Sequence, residues 1–234
     1  MAQRETVDTA VIVRHFEEAD GCPVCSFERE AEAYEIDRLL DGNMMIWDIR
    51  RDTDAMGFCY EHYAKLLASR NRFSVAVMLE SHLKEVRDVY LKELSFKTGK
   101  GGMAERIGAL NHDCYVCNRM KDNMATFLSG VVALWKKREE FRELFASKPI
   151  CLNHYGELLA TAEQELDKKT FKAFSQAMYD AQVQQVEKLA EEAKFYCSRF
   201  DYRVTGPDKD FKGTADILER MCEWLNKKNP KKLW

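Results

Sequence analysis

Glycine and proline are scarce in this chain, with 11 and 4 among 234 residues. A β-sandwich or barrel of that length turns roughly every ten residues, and too few turn formers are present to supply those turns. Excess charge is missing too. The 36 basic and 39 acidic side chains leave a net charge of −3, so no positive field is available for a phosphate backbone, and general nucleic-acid binding is not expected. The one basic run, Lys227-Lys228-Asn229-Pro230-Lys231-Lys232, reads as a solvated tail. No apolar run approaches the ~20 residues of a membrane span. Met1–Thr6 lacks the apolar core of a signal peptide. A soluble, cytoplasmic protein with no membrane partner is expected. Gly-rich phosphate loops, nucleophile elbows and His-Glu-x-x-His motifs are all missing, so no catalytic residue is assigned and a non-enzymatic role is favoured.

What the chain does have is helical periodicity and cysteine. Apolar residues at 3.6-residue spacing predict helices over 3–19, 26–41, 44–55, 60–95 (broken near Ser69–Arg72), 103–111, 118–146, 152–166, 169–200 and 214–228. Asp41-Gly42-Asn43 and Thr205-Gly206-Pro207-Asp208 are turn signals, and Lys97–Gly102 is a linker. No segment reads as a strand, so the fold class is all-α. Eight cysteines in a reducing compartment call for a role other than disulfides.

The two sides of the linker repeat one another. Cys22, Cys25, Cys59 and His62 recur 92 residues later as Cys114, Cys117, Cys151 and His154, with Tyr63, Leu66 and Leu67 matched by Tyr155, Leu158 and Leu159. This predicts two tandem pseudo-symmetric helical repeats, 1–98 and 99–200, followed by a C-terminal helix and basic tail, 201–234.

Each half reads Cys-x2-Cys-x33-Cys-x2-His. Three thiolates and an imidazole are a common ligand set for structural zinc. Cys25, Cys59, Cys117 and Cys151 should each sit at a helix N-terminus, where free amides and the helix dipole favour a thiolate. One zinc ion per half, two per chain, is expected. An unbroken helix across the 33-residue gap, rising about 1.5 Å per residue, would carry the second ligand pair out of reach. Each gap must therefore double back, at Asp41–Asn43 in the first half and at Ser129-Gly130 or slightly beyond in the second. An exchanged site, with Cys22 and Cys25 paired to Cys151 and His154, is the alternative. A redox dithiol and an iron–sulfur cluster are rival uses of the same residues, but no thioredoxin-like pattern surrounds Cys22–Cys25 and histidine is a less usual cluster ligand.

Cys197 and Cys222 lack partners at ligand spacing and read as core residues. His112 reads as a surface residue or a neighbour of the ligands, with a competing ligand as the alternative, and His82 reads as a satisfied histidine on a helix face. Leu79, Leu83, Val86, Tyr90 and Leu94 form one apolar stripe. Met44, Met45 and Trp47 read as core, while Trp47–Asp52 reads equally as a cleft wall or as a solvated helix face with ion pairs.

The Cys22-Pro23-Val24-Cys25 opening, the Gly57–Tyr63 element and their second copies resemble an uncharacterised bacterial family of helical proteins, over the chain up to about residue 200. The resemblance implies the fold and the metal sites and carries no activity. The expectation is a zinc-binding protein that binds an unknown protein or small molecule, with thiol-based redox or soft-metal handling as the alternative.

Overall fold

A computed structural model describes residues 9–92, 108, 113–200 and 214–225. The linker at 97–102, the helix expected at 103–111, His112, Leu94, the turn at 205–208 and the basic tail lie outside those residues. Among the described residues there are ten α-helices and no strand. They are α1 (Thr9–Glu18), α2 (Pro23–Leu40), α3 (Trp47–Met56), α4 (Tyr60–Ala68), α5 (Arg72–Glu85), α6 (Tyr115–Lys137), α7 (Glu139–Ser147), α8 (Leu152–Glu165), α9 (Lys168–Ser198) and α10 (Ile217–Leu225).

Local chemistry explains the boundaries. Pro23 opens α2, where its missing N–H costs nothing. Gly42, at φ 101°, ends the turn after α2 in a conformation that glycine takes freely. Asn71 caps α5 by accepting from the Ser74 amide at 3.1 Å, and Asp167 caps α9 through the amides of Lys169 and Thr170. The predicted break at Ser69–Arg72 is where α4 gives way to α5.

The break in the second half is not at Ser129-Gly130. Helix α6 runs straight through that pair, and Gly130 instead makes room for Ile12, whose Cδ1 would lie 2.7 Å from an added Cβ. The chain bends at Arg138, which is extended at φ −123° and ψ 122°. The Arg142 guanidinium donates to the carbonyls of Trp135 (2.8 Å) and Lys136 (2.9 Å), capping the end of α6, and it lies over the Trp135 ring.

The chain forms two compact units, and they do not follow the halves 1–98 and 99–200. One joins the residues up to Phe27 to those from Ala125 onward, and the other is Glu28–Met124. Helix α2 gives its first turn to the former and the rest to the latter. Helix α6 begins in Glu28–Met124 and ends in the discontinuous unit.

In the discontinuous unit, Phe16 packs on Phe141 and Phe145, and Phe174 on Phe145 and Trp135. Phe27 stacks on Phe127 at 3.9 Å between ring centroids, with the buried His15 ring edge-on to both. Each buried aromatic ring contributes on the order of 2–3 kcal/mol. Helix α10 docks on α9 through Trp224, which donates to Gln182, and Arg220, which pairs with Glu192.

In Glu28–Met124, Leu39, Met44, Phe58, Leu66, Val75 and Met78 form a core that also includes Cys114, Tyr115 and Val116. Of the expected Met44–Met45–Trp47 cluster only Met44 is inside. Met45 and Trp47 are 65% and 74% exposed, at the turn where α3 begins. Leu83 of the expected stripe is also exposed, because α5 turns Ser74, Val75 and Met78 inward. Trp47–Asp52 is a solvated face in which Arg51 pairs with Asp48 and Asp52.

Candidate metal centres

All eight ligand candidates sit at the start of a helix. Cys22, Cys59, Cys114 and Cys151 are the residues just before α2, α4, α6 and α8, and each carbonyl accepts the first helical bond, from Ser26, Tyr63, Asn118 and Tyr155 respectively. The second member of each pair, Cys25, His62, Cys117 or His154, is three residues on and shares the same face. Val24 and Val116, inside the two Cys-x2-Cys turns, are completely buried and pin those turns to their cores.

The pairs meet in exchanged fashion. Cys22 and Cys25 join Cys151 and His154, all within the discontinuous unit, while Cys59 and His62 join Cys114 and Cys117, all within Glu28–Met124. The expected site within each half is therefore not formed. The helices explain why. Helix α2 has 18 residues and α6 has 23, so they carry the chain about 27 Å and 35 Å away from the Cys-x2-Cys pair at their start. The short returning helices do not bring it back to that pair.

Within each quartet the ligand atoms lie within 4.8 Å of one another. In the first, Nδ1 of His154 is 3.6, 3.3 and 3.2 Å from the sulfurs of Cys22, Cys25 and Cys151, and Cys25 Sγ is 3.6 Å from Cys151 Sγ. In the second, Nδ1 of His62 is 3.0, 3.3 and 3.5 Å from the sulfurs of Cys59, Cys114 and Cys117, and Cys59 Sγ is 3.8 Å from Cys117 Sγ. Zn–S bonds of about 2.3 Å and Zn–N bonds of about 2.0 Å make tetrahedron edges of roughly 3.8 Å (sulfur to sulfur) and 3.5 Å (sulfur to nitrogen). The quartets fit a single tetrahedral ion. In a multi-iron cluster the four ligands are divided among different irons, and those on different irons stand farther apart than one such edge.

Electrostatics favour a cation as well. Burial pulls the His62 imidazolium down, but hydrogen bonds to Cys114 and Glu32 outweigh it and raise its pKa to about 10. His154 reaches about 10 likewise, burial being outweighed by hydrogen bonds to Cys151 and Cys22. Burial raises the Cys114 thiol, yet hydrogen bonds from His62 and the Cys117 amide bring it down to about 6. Cys117 is pushed up to about 12 by burial and the neighbouring Cys114 charge. Cys25 is pushed up by its hydrogen bonds to Cys151 and Cys22, whereas hydrogen bonds from Cys22 and Cys25 bring Cys151 down. Crowded sulfurs do not all ionise side by side unless a cation sits among them.

The surroundings of the two imidazoles differ. Nε2 of His62 is 3.0 Å from the Glu32 carboxylate, which Lys65 also engages. The His62 hydrogen bond, acting against burial and with help from Lys65, lowers Glu32 to about 2. With Nδ1 on a metal, Nε2–H donates to this carboxylate, an arrangement that fixes the tautomer and strengthens the ligand. Nε2 of the fully buried His154 has Glu157 at 3.9 Å, too far for a direct hydrogen bond. Glu32 stands at no spacing that the sequence singles out, whereas Glu157 follows His154 by three residues on the same helix.

Gly57 holds the loop before Cys59. Its φ of 60° and ψ of −150° favour glycine, a Cβ there would be 2.6 Å from His82 Nε2, and its carbonyl accepts the Tyr115 amide at 3.0 Å. His82 is the satisfied histidine expected, its Nδ1–H donating to the Asp54 carbonyl at 2.6 Å. Cys197 and Cys222 are exposed rather than core, because they lie on the outward faces of α9 and α10, and neither joins a quartet.

No curated protein and no solved structure matches the chain. One family model does, over residues 3–232. That span takes in both quartets and every helix around them, so the chain belongs to the family of unknown function DUF6062.

Proposed function

We propose that each quartet binds one zinc ion and that the protein is a non-enzymatic binding or interaction protein, a helical scaffold held by two structural zinc ions. One observation carries this reading: two separate quartets share one ligand set of three sulfurs and one nitrogen, with contacts of 3.0–3.8 Å that match the edges of a zinc tetrahedron. Four protein ligands fill the coordination sphere and leave no position for water or substrate, which argues against catalytic zinc. Among the described residues no helix is long and apolar enough to cross a membrane. Reduced thiols in the cytoplasm suit the ligand set. The partner is a protein or small molecule, not a nucleic acid.

Metal analysis of protein purified without added metal tests the reading, with two zinc ions per chain expected. Zinc contributes about 10–16 kcal/mol of folding free energy in small finger domains. A strong chelator should therefore abolish the helical circular-dichroism signal. Metal-free protein that stays folded would refute the structural role. Thiol chemistry is the second reading, favoured by the partial exposure of Cys22, Cys59 and Cys117.

A further inference from the structure

The two quartets differ in which cysteines are exposed. In Glu28–Met124, Cys59 and Cys117 are both partly exposed, and their sulfurs are in contact at 3.8 Å although 58 residues separate them in the chain. In the quartet of the discontinuous unit only Cys22 is partly exposed. Cys25 and Cys151 are buried and His154 is completely so. Every disulfide possible within that quartet must use a buried cysteine, whereas the other quartet has a disulfide open to it that uses none.

We propose that Cys59 and Cys117 are a peroxide-sensitive pair, whose oxidation to a disulfide ejects the metal from the Glu28–Met124 quartet and leaves the other quartet loaded. The inference rests on zinc occupying both quartets. Zinc holds its cysteines as thiolates, the nucleophilic form. One thiolate attacks hydrogen peroxide, so that an S–O bond forms, the O–O bond breaks, and the departing hydroxide takes up a proton to become water. The second thiolate attacks the resulting sulfenic acid, forming the S–S bond and expelling the second oxygen, which also leaves as water after taking a proton. The two sulfurs together give up two electrons, peroxide accepts them, and two protons are consumed. Zinc is left with only His62 and Cys114 and dissociates.

The outcome is a switch rather than damage, because the new covalent bond ties together the same two stretches of chain, around 59–62 and 114–117, that the ion had joined. The unit stays closed while zinc leaves, and a reducing thiol with added zinc restores the starting state.

The test treats the zinc-loaded full chain with increasing hydrogen peroxide, follows released zinc with a chromophoric chelator, and maps disulfides by mass spectrometry. One of the two zinc ions should leave about tenfold faster than the other, in step with a Cys59–Cys117 disulfide. The helical circular-dichroism signal should persist, and dithiothreitol with zinc should reverse the change. Equal release of both ions, first bridging among Cys22, Cys25 and Cys151, or irreversible over-oxidation without a disulfide would overturn the proposal. A Cys197→Ser/Cys222→Ser variant should behave like the wild type. If it no longer released zinc, oxidation would begin at those exposed thiols and the proposal would fail. Zinc content before oxidant separates the two readings: fewer than two ions at the outset sinks the zinc assignment itself, whereas two ions that resist peroxide sink only the switch.

Discussion

The two quartets use the same four ligand types, the same imidazole nitrogen and the same seats at helix starts, yet they are supported differently. Around Cys22, Cys25, Cys151 and His154 the protein relies on burial. Around Cys59, His62, Cys114 and Cys117 two cysteines are partly exposed and a Glu32–Lys65 pair braces the imidazole. Loop length does not account for the contrast. The sulfur pairs Cys25–Cys151 and Cys59–Cys117 close loops of 126 and 58 residues, about one doubling, which costs only about 0.6 kcal/mol. A single ligand motif can thus be supported either by burial or by a charged hydrogen-bond partner, and the second leaves two of its cysteines partly exposed where the first leaves one.

The largest expected effect concerns which residues share an ion. Because the ligand pairs are exchanged between halves, Cys25→Ser/Cys151→Ser removes two ligands from one quartet and should leave one zinc per chain. Cys25→Ser/Cys59→Ser damages both quartets and should leave none. Pairing within halves reverses the two results, so metal analysis of the two variants decides between the arrangements. Gly57→Ala comes next. It forces a side chain into a φ that favours glycine and against the His82 ring, at a cost of about 2–4 kcal/mol. Chemical denaturation should register that loss, with zinc weakened in the Glu28–Met124 quartet and retained in the other. Equal weakening of both would contradict the separation of the two sites.

Much of this was legible in the sequence. Repetition at a fixed offset picked out all eight residues that the two quartets bring together, and helical periodicity placed the helices that carry them. The pairing was harder to read, because it depends on how far α6 runs before it turns. Sequence pointed to Gly130, since glycine commonly breaks helices. The actual stop is set by the Arg142 guanidinium reaching back to the Trp135 and Lys136 carbonyls, and an arginine four residues past a bend carries no local signature. The misplacement of Cys197 and Cys222 has a similar origin. Cysteine is usually buried, but the apolar faces of α9 and α10 point elsewhere. Glu32 was invisible because its role depends on α2 passing beside α4, a relation that no spacing records.

The subtlest test of the comparison removes charge without removing volume. Glu32→Gln keeps the shape of the brace but weakens its pull on the His62 Nε2–H and on Lys65. Changes to such carboxylate partners typically lower metal affinity about 10–100-fold, so competition with a chromophoric chelator should show one of the two zinc ions weakened to that degree. Glu157→Gln at the other quartet should change affinity less than about threefold, since that carboxylate stands 3.9 Å from Nε2, is exposed, and acts through screened charge alone. If the two substitutions had equal effects, Glu32 would be an incidental surface ion pair. The difference between the quartets would then rest on burial alone, and His62 would keep its orientation from packing.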